Sequence, residues 1–185
     1  MGGLALLTAP FLAQAEDMSY RYIQIGYLET DIDGFGENAD GFGTRGSIGF
    51  AENFFVFTEV SKQELLNVDL DQYAVGLGGH YGLSDSVDLV GRIGWAKIEL
   101  DAGGGLNADD DGYLAGVGIR AQAGEHVQLE AGAVYYDYGG GADETGVELA
   151  GRYHFNHKWA VGFEYQSISD FSTIMAAVRY SFGKK

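Results

Sequence analysis

Arg45, Arg92, Arg120, Arg152 and Arg179 stand in otherwise apolar or glycine-rich stretches, and so do Glu59, Asp88, Glu130, Glu148 and Glu164. Charges in such company suit one another better than they suit a bare apolar surface. Two kinds of chemistry follow. Opposed ions can neutralise a confined, low-dielectric space as a structural network. The same ions can line a gate or permeation path, and their numerical balance then predicts poor ion selectivity. A narrow interior favours the network.

A second set of residues is acidic. Asp31 and Asp33, Asp69 and Asp71, and Asp109, Asp110 and Asp111 lie in polar segments, with Glu29, Asp40, Glu64, Glu99, Asp101 and Glu144 among their neighbours. Only Lys62 and Lys97 offset them. Carboxylate oxygens are the ligands that hard divalent cations take, so weak Ca²⁺ or Mg²⁺ binding is one expectation and a merely solvated acidic surface is the other. Asp31-Ile32-Asp33-Gly34 opens like a calcium loop, but position twelve counted from Asp31 is Phe42, where a bidentate glutamate would be needed. No cofactor and no dedicated metal centre is expected.

The remaining types narrow the chemistry further. Cysteine is absent, which removes disulfides, thiolate nucleophiles and thiolate metal sites. A net charge of −16 argues against nucleic acid, whose phosphates would be repelled. Gly76-Leu77-Gly78 and Gly116-Val117-Gly118 alternate inside apolar runs with no helix after them, so they are not phosphate loops.

The elements that must position these residues are strands. Thirty glycines, a single proline and 14% aromatic residues disfavour helices. No run approaches the roughly 18 apolar residues of a membrane-spanning helix. Four short polar turns stand out: Ala51-Glu52-Asn53, Ser84-Asp85-Ser86, Gly124-Glu125-His126 and Asn156-His157-Lys158. They alternate with longer acidic or glycine-rich stretches near 31–41, 65–71, 101–111, 137–145 and 168–171. The spacing predicts ten strands near 20–30, 42–50, 54–64, 72–83, 87–100, 112–123, 127–137, 146–155, 159–167 and 172–182. An even strand count with short turns at one end and long loops at the other is the pattern of a transmembrane antiparallel up-and-down β-barrel. Eight strands with one hairpin outside the barrel is the alternative.

Parity decides which face meets lipid, because successive side chains of a strand point to opposite faces. One face reads, for example, Val87, Leu89, Ile93, Trp95 and then Ile174, Ala176, Val178, Tyr180, Phe182, and no charge interrupts that face between its aromatic ends. The other carries glycines 26, 43, 49, 76, 78, 94, 116, 118, 132 and 162 together with all ten ions. A soluble barrel would turn the apolar face inward, but a ten-strand interior is too narrow for so many large side chains. Glycines and paired ions fit it. An Arg or Lys on the lipid face at mid-bilayer costs roughly 2–4 kcal/mol, so an uncharged face is informative. Aromatic residues cluster at both strand ends, Phe50, Phe54, Tyr81 and Trp159 at one, Tyr27, Phe42, Trp95 and Tyr113 at the other, as two interfacial girdles would.

Ahead of the strands, Leu4 to Leu12 is a short apolar run and Ala13-Gln14-Ala15 a small-residue cleavage site. Residues 1–15 are therefore expected to be a signal peptide, with 16–185 the barrel domain outside the cytoplasm.

These features resemble the small outer-membrane barrels of Gram-negative bacteria, the group of OmpX and the OmpA barrel. Thr30-Asp31-Ile32-Asp33-Gly34, Ala39-Asp40-Gly41-Phe42-Gly43, Asn53-Phe54-Phe55-Val56-Phe57 and Asp69-Leu70-Asp71-Gln72-Tyr73 look more closely like the xanthomonad outer-membrane biogenesis proteins once discussed as quorum-sensing factors. Val178, Tyr180 and Phe182 look like the terminal signal that the barrel-assembly machinery reads. The resemblance implies integral outer-membrane placement, periplasmic termini and no catalytic residues. Outer-membrane hydrolases of similar topology carry a histidine dyad toward the external side. Here His126 and His157 fall in the short turns, and His80 and His154 lie inward near the same end. The expected role is structural or interactive, presenting acidic loops to lipopolysaccharide, cations or other cells. A narrow porin-like channel is the second expectation and a hydrolase the third.

Overall fold

The computed structural model describes residues 18–34, 36–66, 68–103, 107–139 and 143–182. The expected signal peptide at 1–15 lies outside them. The described residues form ten strands: β1 (Tyr22–Ile32), β2 (Ala39–Ala51), β3 (Phe54–Leu65), β4 (Val68–Ser84), β5 (Val87–Asp101), β6 (Asn107–Ala123), β7 (Val127–Asp137), β8 (Asp143–His154), β9 (Trp159–Ile168) and β10 (Phe171–Ser181). Each strand pairs antiparallel with its neighbours in the chain, and β1 closes on β10. This is the all-β, up-and-down barrel of ten strands read from the turns, and the eight-strand alternative is set aside.

The strands tilt. Tyr22, Ser47, Phe57, Gly76, Gly94, Leu114, Tyr136 and Glu144 are each paired with the one before. That line climbs from the turn-end rim on β1 to the loop-end rim on β8, as closure with a stagger requires. Alternation within β1 sorts the faces: Gln24, Leu28 and Thr30 are buried while Ile23, Ile25 and Tyr27 are exposed. The outward face carries most of the exposed large apolar side chains, among them Ile93, Val117, Leu149, Phe163 and Ile174. Only an apolar surround makes that arrangement favourable.

Strand limits depart from expectation at the loop end. β6 begins at Asn107 rather than near 112, β4 at Val68 rather than near 72, and β2 at Ala39 rather than near 42. Thus Asp69, Asp71, Asp109, Asp110 and Asp111 stand on strands, not in loops. Their backbones continue the ladder past the aromatic girdle while their side chains reach water, and a run of charge hides such pairing from a reading based on hydropathy.

The interior is also more aromatic than a bore of glycines and paired ions alone. Phe55 and Phe57 point inward and are buried. Each occupies a seat that glycine leaves open. A Cβ on Gly78 would meet the Phe55 ring at 2.1 Å, and one on Gly76 would meet Phe57 at 2.7 Å.

Candidate functional site

Nine of the ten expected bore charges join one network, and Asp88 lies outside it. Glu164, on β9, receives Arg45 at 2.6 Å, Arg152 as a hydrogen-bonded ion pair, and Arg179 at 3.8 Å. Gln24 donates its amide to the same carboxylate at 2.9 Å and accepts from Arg179 at 2.8 Å. Glu130 receives Arg120 and Arg152, each at 2.6 Å. Toward the loop end, Glu59 receives Arg92 at 3.0 Å and Arg45 at 3.6 Å. Arg92 continues to Glu148, which also accepts from Gln166 at 3.0 Å. Asp88 stands apart at the turn end, where Tyr20 donates to it at 2.7 Å and His80 lies 3.5 Å away. The Tyr20 ring faces the Arg120 guanidinium at 4.3 Å and so ties Asp88 to the rest.

This geometry is what a low-dielectric bore demands, since each buried ion needs a partner to offset its desolvation. The side chains of Arg152, Arg179 and Glu164 are 3%, 4% and 6% exposed. Those of Arg45, Glu59, Arg92 and Glu148 are about one-fifth to one-quarter exposed. Water therefore reaches the upper layer of the network. The bore holds a cavity of about 170 Å³ accessible to water, lined from Tyr138 and Gln72 near the loop end down to Tyr20. Tyr20, Gln24, Phe55 and Phe57 are the bore residues that sequence reasoning missed. All four fall on the inward parity of the strands expected at 20–30 and 54–64, but only glycines and ions marked that face in the sequence reading.

The acidic residues take a second arrangement, outside the barrel. Glu29 pairs with Asp40, Asp40 with Glu64, Glu64 with Asp69, and Asp69 with Asp101. By parity every one of these shares the outward face with Tyr27, Phe42, Val60, Tyr73 and Trp95. Five carboxylates thus stand side by side across β1 to β5, just beyond the outer aromatic girdle. One row nearer the girdle, Lys62 binds Asp71, and Lys97 reaches Glu99 at 2.6 Å and Asp109 at 3.3 Å. Asp111 accepts from the Trp95 indole at 2.9 Å. Asp110 alternates to the other face, Asp31 stands near the end of β1 opposite Ser172, and Asp33 follows in the turn, where its backbone N–H donates to the Asp170 carbonyl at 2.9 Å. Among the described residues no three His, Asp or Glu side chains converge as a preformed metal site would require.

On β10, Val178, Tyr180 and Phe182 lie along the outward side of the terminal segment, with the Tyr180 ring 4.8 Å from Trp159. His80 and His154 point inward at the turn end, and His126 and His157 occupy turns there. The acidic collar is at the opposite rim.

A closed antiparallel barrel with an apolar exterior between two aromatic girdles and ions inside is an integral outer-membrane protein. Residues 2–148 match the outer membrane protein beta-barrel domain family, and the chain belongs to that family. No curated protein matches the chain. Among solved structures it is similar to the KdgM porin, at 13% identity and a TM-score of 0.49 over 86% of this chain and 99% of that one. It is similar also to Ail, the attachment invasion locus protein of Yersinia pestis, at 18% identity and a TM-score of 0.41 over 89% and 100% of the two chains. The N-terminal barrel of Pseudomonas aeruginosa OprF aligns at 8% identity and a TM-score of 0.46 over 88% and 100%. In this family the turn end and both barrel termini face the periplasm, and the loop end faces outward.

Proposed function

We propose that the protein is a structural and interactive element of the outer leaflet, docked to lipopolysaccharide through divalent cations held at its acidic collar. The register of Glu29, Asp40, Glu64, Asp69 and Asp101 is the observation that carries this reading. Like charges directly opposed across strands destabilise a sheet by a few tenths to about 1 kcal/mol each. A collar of them, set where anionic saccharide and phosphate headgroups gather, is favourable only when cations intervene. The cations are shared with the lipid and bind each carboxylate weakly, in keeping with the lack of a three-ligand cluster among the described residues.

The test is retention of the purified barrel on immobilised lipopolysaccharide. Retention in millimolar Mg²⁺, its loss on chelation, and weak retention of the triple variant Glu64→Gln, Asp69→Asn, Asp101→Asn are expected. Retention indifferent to chelator would overturn the reading. We assign no catalytic role, because the four histidines gather at the periplasmic end, away from the acidic rim. Residues 1–15 serve as the export signal in this reading, and amino-terminal sequencing of the exported protein should begin at Glu16. Val178, Tyr180 and Phe182 serve the assembly machinery.

A narrow channel is the second reading, favoured by the internal space that descends to Tyr20.

A further inference from the structure

Tyr20 belongs to no strand, yet it is 6% exposed and lies across the bore. In a ten-strand barrel, β6 stands opposite β1. Tyr20 hangs from the start of β1 and touches Asp88 on β5 and Arg120 on β6, the far wall. Its contacts are of several kinds. The hydroxyl donates to Asp88 Oδ2 at 2.7 Å, and the ring stacks on His80 at 4.1 Å and Phe55 at 5.0 Å. Arg120 lies over the ring face, and Ser47 Oγ donates to the Tyr20 carbonyl at 2.8 Å. Met18 packs against the same cluster.

The internal space ends at this residue. Its lining includes Tyr20, Ser47, Phe55 and Arg120 but not His80, Asp88 or Gln128, which lie on the periplasmic side of the ring. Above Tyr20 the space passes the partly hydrated Arg45, Glu59, Arg92 and Glu148 toward the outer loops. Between that layer and Tyr20 the space passes Arg152, Arg179 and Glu164, whose side chains are 3%, 4% and 6% exposed, so the bore narrows there, and Tyr20 lies at the periplasmic limit of its lining.

We propose that residues 18–20, ahead of β1, are a plug, with Tyr20 as its stopper, and that displacing them joins the outer space to the periplasm as a narrow aqueous path. A stacked ring with one hydroxyl anchor and one backbone anchor suits this role. Tyr20 is held by side-chain contacts and one side-chain-to-carbonyl bond, and backbone pairing reaches the segment only at Arg21, whose carbonyl accepts from the Phe182 N–H at 2.9 Å, so the ring can leave without unzipping the barrel. This inference is independent of the collar and survives if lipopolysaccharide binding fails.

Single-channel recording on protein purified from outer membranes tests it, with folding verified by heat-dependent gel mobility. Wild type should show rare openings. Tyr20→Ala should show frequent small steps, raising open probability by tenfold or more. The double variant Tyr20→Phe, Ser47→Ala keeps the ring and removes both anchors, and it should open more often than wild type while folding normally. A folded Tyr20→Ala barrel as silent as wild type would overturn the plug, and so would a wild type that conducts as freely as the variant. If Tyr20→Ala does not fold, an unchanged open probability in the double variant overturns it equally.

Discussion

Glu164 sits within reach of three guanidinium groups and one amide, nearly sealed from water. Glu164→Gln leaves Arg45, Arg152 and Arg179 short of a counter-charge at that depth. Breaking a buried pair by removing one partner costs about 3–5 kcal/mol, and urea unfolding in micelles should show a loss of that order. Glu59→Gln, in the hydrated layer, should cost less than half as much. Gly78→Ala should also destabilise, by roughly 1–3 kcal/mol, because its new methyl meets a Phe55 ring fixed between Tyr20 and the wall. The ten charges were legible as a set because each interrupts an apolar alternation on the same parity. Which ion meets which was not legible, since the pairs join strands whose relative height depends on the barrel's stagger. Tyr20 falls on the inward parity of the strand expected at 20–30, but nothing in the sequence shows that pairing starts only at Tyr22 and leaves the Tyr20 ring to cross the bore.

Each strand repeats one rule, apolar outward and small or ionic inward, and the turns enforce its register. Ala51-Glu52-Asn53 and Ser84-Asp85-Ser86 sit beside irregularities in the ladder at Gly49/Ala51 and Gly82/Ser84, where one extra residue is absorbed at the periplasmic rim. On β6, Val117 faces outward midway between the girdle residues Tyr113 and the turn. Val117→Arg should cost about 2–4 kcal/mol in lipid vesicles, whereas Asp109→Arg, beyond the outer girdle, should be near neutral. The strand count was readable because polar or glycine-rich breaks punctuate the apolar alternation, although two outer connections, 66–67 and 169–170, are as short as the turns. The outer strand limits were not, because Asp109, Asp110 and Asp111 look like loop residues to any measure of hydropathy, though their backbones pair with Glu99, Ile98 and Lys97.

For the whole molecule, charge is partitioned. Balanced ions fill the bore, and the excess negative charge gathers at the outer rim, where the proposed function has it meet the cations of the leaflet. Chelation should therefore weaken lipopolysaccharide retention without changing the urea midpoint of the barrel in micelles, because the internal network holds no exchangeable metal in this account. All of this depends on which side of the wall faces acyl chains. A nitroxide scan of β6 measures that directly, and a chain without cysteine accepts single reporters cleanly. Labels at Tyr113, Ala115, Val117 and Ile119 should relax with lipid-dissolved oxygen, and those at Leu114, Gly116 and Gly118 should be shielded from it. A scan in which the oxygen-accessible positions are the even-numbered ones, or in which no two-residue period emerges, would contradict the account.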